Sequence, residues 1–208
     1  MAGVRAVVFD IGGVLERVDD DSWPTTWIRR WERRANRPEG YVLEHLAEHA
    51  PDEDVVTGRM SEDDIRRAYA DVLGLQEEQA DAMMAEMWDA YCGELDVPMR
   101  DFAASLRPTY RTGILSNSAD GAWREEQRRY GFEELVDVIV YSHEVGLAKP
   151  DPQVFQLTEA RLGVEPFEIV LVDDQIGHVE AARRQGWQAV LHRHTPASIR
   201  DICALIGR

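Results

Sequence analysis

Two kinds of hydrophobic pattern divide the chain. Residues 4–9 form a short, nearly continuous apolar run, which is typical of a strand buried on both faces. Residues 17–96 carry their apolar side chains at helical spacing, and residues 97–208 return to short apolar runs that alternate with helical patterns. The pattern therefore predicts an α/β core built from residues 1–16 and 97–208, with an all-helical segment, residues 17–96, inserted after the first strand.

The inserted segment contains three predicted helices. Ser61 and Asp64 have the spacing of a capping box, so we expect one helix to begin there. Apolar stripes mark an earlier and a later helix, and both favour core packing over substrate binding: Trp23, Trp27 and Trp31, then Met83, Met84 and Met87. We expect an arginine cluster to form a solvated face that pairs with acidic side chains: Arg29, Arg30, Arg33, Arg34 and Arg37.

The C-terminal segment alternates between strands and helices joined by short connections. Strands are predicted at residues 112–115, 136–141, 169–172 and 189–191. Helices are predicted at residues 121–130, 152–162 and 196–206, with another through Ala181 and Ala182. This alternation indicates a parallel sheet with helices on both faces.

Chemically active side chains follow the predicted strands. Asp10 ends the first strand, Ser116 the second, and Asp173 and Asp174 the fourth, while Lys149, the only lysine of the chain, comes shortly after the third. Because the carboxyl ends of parallel strands meet at one edge of a sheet, we expect these side chains to lie together. A carboxylate, a hydroxyl and an ammonium there would suit transfer of a phosphoryl group to Asp10. Mg²⁺ held by Asp10 and the acidic pair would neutralise the phosphoryl charge.

Each of these residues has an ordinary structural explanation when it is taken alone. A strand-terminal Asp can cap a helix, Ser116-Asn117 can form a turn, and a lone lysine is usually solvated. Two other classes of protein share some of the parts. Gly12-Gly13 after a strand hints at dinucleotide binding, but no G-x-G-x-x-G motif follows. Receiver-type signalling domains combine similar residues, but in the reverse order along the chain.

Composition narrows the class of function. The chain has 208 residues, with 39 Asp and Glu against 23 Lys and Arg, for a formal net charge of -16. That charge argues against nucleic-acid and anionic-membrane partners. No apolar run approaches the roughly 20 residues that span a bilayer, and the N-terminus does not resemble a signal peptide. Cys92 and Cys203 do not form a disulfide framework. We therefore expect a cytoplasmic globular protein, and the pattern leaves homodimerisation open.

Four motifs together resemble those of the haloacid dehalogenase-like (HAD) hydrolase superfamily. They are FDIGGVL, LSNS, GLAKPDPQVF and VLVDDQIGHVEAA, in the family's order and spacing. The resemblance implies a Rossmann-like core with a C1-type helical cap that closes over the substrate. It also implies that Asp10 is the nucleophile and forms an aspartyl intermediate. Anion binding would fall to Ser116, Asn117 and Lys149, Mg²⁺ binding to Asp10, Asp174 and the Gly12 carbonyl, and support of these groups to Asp173 and His178.

The chain departs from the family's phosphatases at two positions. Gly12 stands where they usually carry a second Asp as proton donor, and His178 stands where related members mostly have Asn or Asp. General acid catalysis contributes about 10²–10⁴-fold, so its loss favours activated leaving groups unless Glu16, His143, His178 or a cap residue supplies the proton. We expect a Mg²⁺-dependent phosphatase acting on a small sugar phosphate or activated phosphate. The alternatives are a metal-free 2-haloacid dehalogenase, which would lack the acidic pair, and a noncatalytic binding protein.

Overall fold

A five-stranded parallel sheet forms the centre of the molecule. The structure is a computed structural model that describes residues 3–17 and 24–208. The strands of the described residues are β1 (Ala6–Phe9), β2 (Glu16–Arg17), β3 (Glu94–Leu95), β4 (Arg111–Ser116), β5 (Val138–Tyr141), β6 (Ile169–Asp173) and β7 (Gln188–Leu191), and all but β2 and β3 belong to the central sheet. The sheet has the order β5-β4-β1-β6-β7, and all of its paired strands are parallel. The predicted α/β class and parallel sheet are confirmed.

β1 is the middle strand because both of its faces are apolar. Val7 and Phe9 pack into the core on one face of the sheet, and Ala6 and Val8 pack into the core on the other. The chain runs outward from β1 in two directions, through β4 on one side and β6 on the other. Such a reversal of strand order opens a crevice at the carboxyl ends of the strands, and Asp10 lies at that point.

Helices cover both faces of the sheet and form the inserted segment. They are α1 (Thr25–Arg34), α2 (Tyr41–His45), α3 (Asp52–Val56), α4 (Glu62–Leu73), α5 (Glu77–Cys92), α6 (Val97–Leu106), α7 (Ala122–Tyr130), α8 (Phe132–Leu135), α9 (Ser142–Val145), α10 (Pro152–Leu162), α11 (Ile176–Arg184) and α12 (Thr195–Ile206). In the ranges that the structure describes, no helix is long and apolar enough to cross a bilayer.

The predicted element bounds differ from the observed ones mainly at the third strand of the core. That strand begins at Val138 rather than at residue 136. Just before it, the Asp137 carboxylate accepts a hydrogen bond from the Thr112 amide of β4 at 2.9 Å, so a side chain makes this contact with the neighbouring strand. The helix predicted from residue 121 begins at Ala122, since Gly121 has a φ of 95° and lies outside the helix.

The inserted helices α1–α5 form a lobe with a core of its own, here called the helical lobe (residues 25–92). Trp27, Trp31 and Met83 are buried there, as their spacing predicts, whereas Trp23 lies outside the described residues. The predicted capping box at Ser61 and Asp64 is confirmed at the start of α4. A two-stranded antiparallel ribbon of β2 and β3 joins the two ends of the lobe. The domain limits at residues 16 and 97 stay a prediction.

Arg29, Arg30 and Arg34 of α1 lie on the outside of the lobe and pair with acids, as predicted, whereas Arg37, after α1, is half-buried and lies over the Tyr41 ring. Arg29 lies 2.8 Å from a Glu39 oxygen, and Arg34 lies 2.7 Å from a Glu86 oxygen. These side chains are half exposed, so each ion pair contributes at most about 1 kcal/mol. These arginines belong to the surface of the lobe and are not among the candidate catalytic residues.

Candidate active site

Asp10 lies at the carboxyl end of the central strand and is almost fully buried. Its main-chain amide donates to the carbonyl of Val172 at 2.9 Å, which continues the pairing between β1 and β6 by one residue. One carboxylate oxygen accepts a hydrogen bond from the Ile11 amide at 2.8 Å, and the other lies 2.9 Å from the Lys149 ammonium. The carboxylate is therefore held in one orientation at the switch point of the sheet.

Lys149 joins two strands through a buried ion triad. Its Nζ lies 2.9 Å from Asp10 and 2.7 Å from Asp173, and its side chain is 0% exposed. Burial disfavours the ammonium, but the two carboxylates outweigh it and raise the pKa of Lys149 above its usual value. The lysine therefore stays charged, and the prediction that it reaches the same edge as the aspartates is confirmed.

The two carboxylates of the triad differ in their electrostatics. Burial raises the pKa of Asp10 and outweighs the attraction of Lys149, and the charge of Asp173 raises it further. Burial also acts on Asp173, but Lys149 and His178 lower its pKa well below the usual range. Asp173 therefore holds most of the negative charge that balances Lys149, while Asp10 has an incompletely neutralised environment that a further cation would favour.

Asn117 fixes the position of Lys149 from the neighbouring loop. Its amide nitrogen donates to the Lys149 carbonyl, and its amide oxygen accepts from the Lys149 N–H, both at 2.8 Å. The predicted contact of Asn117 with substrate stays a prediction, and these two bonds give the side chain a positioning role. Ser116 ends β4 beside this loop and is almost fully buried. Its predicted contact with a phosphoryl oxygen also stays a prediction.

His178 contacts Asp173 rather than Lys149. Its Nδ1 lies 3.1 and 3.2 Å from the two Asp173 oxygens, and the Gln175 amide donates to the same carboxylate at 2.8 Å. Since Asp173 also binds Lys149, the histidine acts on the lysine through a carboxylate. The oxygens of Asp10 and Asp173 and a nitrogen of His178 lie within 4.8 Å of one another, but the Lys149 ammonium already binds both carboxylates.

Asp174 points to a different place for a cation, beside the loop after β1. A Cβ at Gly13, which has a φ of 71°, would lie 2.6 Å from an Asp174 oxygen, so only glycine permits this approach. Burial and the charge of Asp173 raise the pKa of Asp174, and Lys149 is the weakest influence on it. The Asp174 carboxylate thus offers hard oxygen donors beside the loop after β1, the kind of donor that Mg²⁺ prefers, and the predicted Mg²⁺ site of Asp10, Asp174 and the Gly12 carbonyl stays a prediction.

Glu126 is a buried acid near the site that the sequence analysis missed. It is 0% exposed and accepts a hydrogen bond from the Tyr141 hydroxyl at 2.7 Å. Burial raises its pKa and that of Glu16, the charge of Glu126 raises the pKa of Glu16 further, and the charge of Asp10 raises the pKa of both. The signal was present in the helical period, since Ala122 and Glu126, four residues apart, are the buried positions of α7.

The helical lobe meets the core next to this site. The Glu62 carboxylate at the start of α4 accepts two hydrogen bonds from Arg124, at 2.9 and 3.0 Å. The Asp120 carboxylate in turn accepts from the Glu62 amide at 2.8 Å. Asp120 follows shortly after Ser116 and Asn117 along the chain, so the same loop contacts both the lobe and the candidate catalytic lysine.

Two relatives and one solved structure are similar to this chain over most of its length. The chain is 29% identical to bifunctional epoxide hydrolase 2 of Sus scrofa over 98% of its own length, but it spans only 39% of that protein. It is 24% identical to D-ribitol-5-phosphate phosphatase of Bacteroides thetaiotaomicron, over 89% of this chain and 90% of that protein. A HAD family enzyme from the same bacterium, solved with magnesium and inorganic phosphate, has a TM-score of 0.76 at 20% identity and covers 92% of this chain and 95% of its own.

A family model for haloacid dehalogenase-like hydrolases matches residues 4–186, a span that includes the central strand, the helical lobe and the Lys149–Asp173 pair. The solved relative has the same architecture, which confirms the predicted fold, and the family model confirms that the chain is a hydrolase. The chain belongs to the haloacid dehalogenase-like hydrolases.

Proposed function

We propose that this chain is a Mg²⁺-dependent phosphatase that acts on a small phosphorylated metabolite through an aspartyl-phosphate on Asp10. The observation that carries the proposal is the pairing of the Asp10 carboxylate, at 2.9 Å, with the buried ammonium of Lys149 at the switch point of the sheet. The similarity to D-ribitol-5-phosphate phosphatase and to a HAD enzyme that binds magnesium and phosphate supports it.

The reaction follows from the charges around Asp10. An oxygen of Asp10 attacks the phosphorus in line, the new O–P bond forms, and the bond to the leaving oxygen breaks with its electron pair. Lys149 neutralises charge next to the nucleophile, and the Ser116 hydroxyl donates to a phosphoryl oxygen. Water then attacks the phosphorus of the aspartyl-phosphate, which releases phosphate and restores Asp10.

Magnesium has a defined set of donors in this proposal. The carboxylates of Asp10 and Asp174 and the main-chain carbonyl of Gly12 would hold it, with Asp173 kept in place by Lys149 and His178. When bound, Mg²⁺ would draw charge from the phosphoryl oxygens and compensate the repulsion between the carboxylates. These are oxygen donors alone, which Mg²⁺ prefers.

The leaving group must depart without an acid at position 12. Gly12 carries no side chain, and the candidate donors are engaged elsewhere. Glu16 is buried, His143 lies 2.8 Å from the Ser118 hydroxyl, and His178 contacts the Asp173 carboxylate. The leaving groups of activated phosphates, such as acyl and aryl phosphates, depart with little protonation, and so do those of anomeric sugar phosphates. We therefore expect these classes to be hydrolysed faster than phosphates of ordinary alcohols.

The first test is phosphate release from p-nitrophenyl phosphate and acetyl phosphate, with Mg²⁺ and with EDTA, for the wild type and Asp10→Asn. We expect Mg²⁺-dependent release that falls by at least about 10³-fold in the variant, because an amide cannot act as the nucleophile. The variant keeps the size of the side chain, and its thermal unfolding checks the fold.

Three results would contradict this proposal. Full activity in a folded Asp10→Asn variant would remove Asp10 as the nucleophile. Halide release from 2-chloropropionate that persists in EDTA, without phosphate release, would instead support the dehalogenase alternative. A lack of both activities would support a noncatalytic binding protein.

A further inference from the structure

An apolar cavity of about 350 Å³ lies between the helical lobe and the loop after β4. The lobe contributes mainly apolar and aromatic walls, among them Ile28, Leu46, Val55, Met87 and Trp88. The lining residues of the lobe that carry a carboxyl or hydroxyl group are Asp52, Tyr69 and Tyr91. The core contributes residues 117–119. At roughly 30 Å³ per water, the space equals about a dozen water molecules, which is enough for a small organic group.

The core side of the cavity adjoins the candidate active site. Asn117, which lines the cavity, binds the main chain of Lys149 through both ends of its amide. Tyr91 lines the same cavity on the lobe side. Since Asn117 directly follows Ser116, the proposed donor to a phosphoryl oxygen, the cavity begins beside the position that the proposed function gives to the phosphate.

The polar groups at the core end already have partners. The Ser118 hydroxyl and the His143 Nδ1 lie 2.8 Å apart, and the Asn117 amide is used by Lys149. A polyhydroxylated sugar would therefore lose hydrogen bonds to water without replacing them at these groups, which is costly for each hydroxyl. Apolar carbon in the same space would instead gain the free energy of leaving water.

We propose that the leaving group of the substrate is apolar, so that the substrate is an aryl phosphate whose organic part fills this cavity, and not a phosphorylated sugar. The inference rests on the proposed phosphatase function and narrows its substrate class. An aryl phosphate also suits Gly12, since the phenolate takes the electron pair of the broken P–O bond and departs without a proton donor. Trp88 and Met87 provide the aromatic and sulfur contacts that an aromatic ring prefers.

A series of 4-alkylphenyl phosphates tests the inference. From methyl to butyl the acidity of the phenol hardly changes, so kcat/KM reports the fit of the alkyl group alone. We expect kcat/KM to rise about fourfold per methylene until the cavity is filled. Replacing the terminal methyl of 4-ethylphenyl phosphate with a hydroxyl should lower kcat/KM roughly tenfold.

Two matched variants link the effect to the cavity. Leu46 and Leu75 are both partly buried leucines packed against the lobe core, but only Leu46 is among the cavity's lining residues. Leu46→Gln should flatten the increase of kcat/KM with chain length, and Leu75→Gln should keep it. Thermal unfolding of both variants checks that the lobe is folded to the same extent.

Acetyl phosphate separates this inference from the function on which it rests. If acetyl phosphate is hydrolysed in an Asp10-dependent way but kcat/KM does not change with alkyl length, or if ribose 5-phosphate is hydrolysed faster than 4-butylphenyl phosphate, the apolar leaving group is wrong while the phosphatase stands. An equal loss of slope in Leu46→Gln and Leu75→Gln would also overturn it. No phosphate release from any compound would contradict both proposals.

Discussion

Lys149 is the residue on which the electrostatics of the site depend. It lies between Asp10 and Asp173, at 2.9 and 2.7 Å, with no exposed side-chain surface. One buried positive charge cannot balance two carboxylates fully, so the remaining negative charge favours a second cation. His178 supports the triad from α11, and the Asn117 amide supports it from the loop after β4. The only lysine of the chain therefore holds the proposed nucleophile, Asp10, and also links the ends of β1 and β6 through Asp10 and Asp173.

Gly12 is the position where one substitution tests the missing acid. A Cβ built there meets nothing within 4 Å, and its φ lies outside the left-handed region, so Gly12→Asp should fold. We expect the variant to hydrolyse alkyl phosphates about 10²–10⁴ times faster than wild type, with little change for p-nitrophenyl phosphate. Steady-state rates on the two substrates measure the effect.

Gly12→Asn is the control for that substitution, because it has the same size and no acidic proton. An equal gain in Gly12→Asn would show that the side chain acts by shape. No gain in a folded Gly12→Asp would mean that another residue already donates the proton.

At the scale of elements, the contact between α3 and α9 holds the helical lobe on the core. Gly58, just after α3, has a φ of 69°, and a Cβ there would collide with the carbonyl oxygen of His143 in α9. The Glu62–Arg124 pair and the Asp120 carboxylate add a second contact at the start of α4. These contacts are polar or close-packed backbone contacts, and Val56 and Ala119, which line the apolar cavity, are near them along the chain.

Gly58→Ala should therefore destabilise the protein far more than Gly40→Ala. Gly40 has a φ of 87° but nothing within 4 Å of its Cβ position. We expect Gly40→Ala to lower the free energy of unfolding by about 1 kcal/mol from backbone strain alone. Gly58→Ala adds a steric clash and should cost roughly 3 kcal/mol or more. Urea denaturation of both variants measures the difference, and equal losses would mean that the lobe does not depend on this contact.

At the scale of the whole molecule, the excess of acidic residues extends into the interior. The formal net charge is -16, and Glu16 and Glu126 are buried close enough to interact. Burial raises the pKa of Glu126 above its ordinary 4.5, and the Tyr141 hydroxyl lowers it only in part. The folded protein therefore keeps a proton that the unfolded chain releases, so this carboxyl group lowers stability as pH rises from about 4.5 towards its folded pKa.

Glu126→Gln should remove that dependence on pH. Relative to wild type, we expect its free energy of unfolding to increase with pH between 5 and 8, by up to about 1.4 kcal/mol per pH unit. Urea denaturation at several pH values measures it. Glu125→Gln is the neighbouring control: burial raises the pKa of Glu125, but hydrogen bonds from Arg128 and Arg124 outweigh it and lower the pKa, so this variant should not gain stability with pH. A constant difference for Glu126→Gln would contradict a raised pKa.

The sequence alone was enough to predict the sheet, the inserted helices and the edge at which Asp10, Lys149 and Asp173 meet. The reason is that hydrophobic periodicity is local, and parallel strands with short crossovers bring their carboxyl ends together whatever the details of packing. Even so, the third core strand begins two residues later than predicted, because the Asp137 carboxylate accepts a hydrogen bond from the Thr112 amide before the strand begins.

Side-chain contacts between segments that are distant along the chain could not be predicted from hydrophobic periodicity. Four features depend on residues from separate elements. They are the contact of His178 with Asp173, the two hydrogen bonds between Asn117 and Lys149, the burial of Glu126, and the apolar cavity. Their side chains could equally have faced solvent, since periodicity gives the buried face of an element and not the partner across from it. The sequence by itself thus predicted the candidate catalytic residues. The contacts that support those residues, and the shape of the space offered to a substrate, depend on tertiary packing, including that of the lobe on the core.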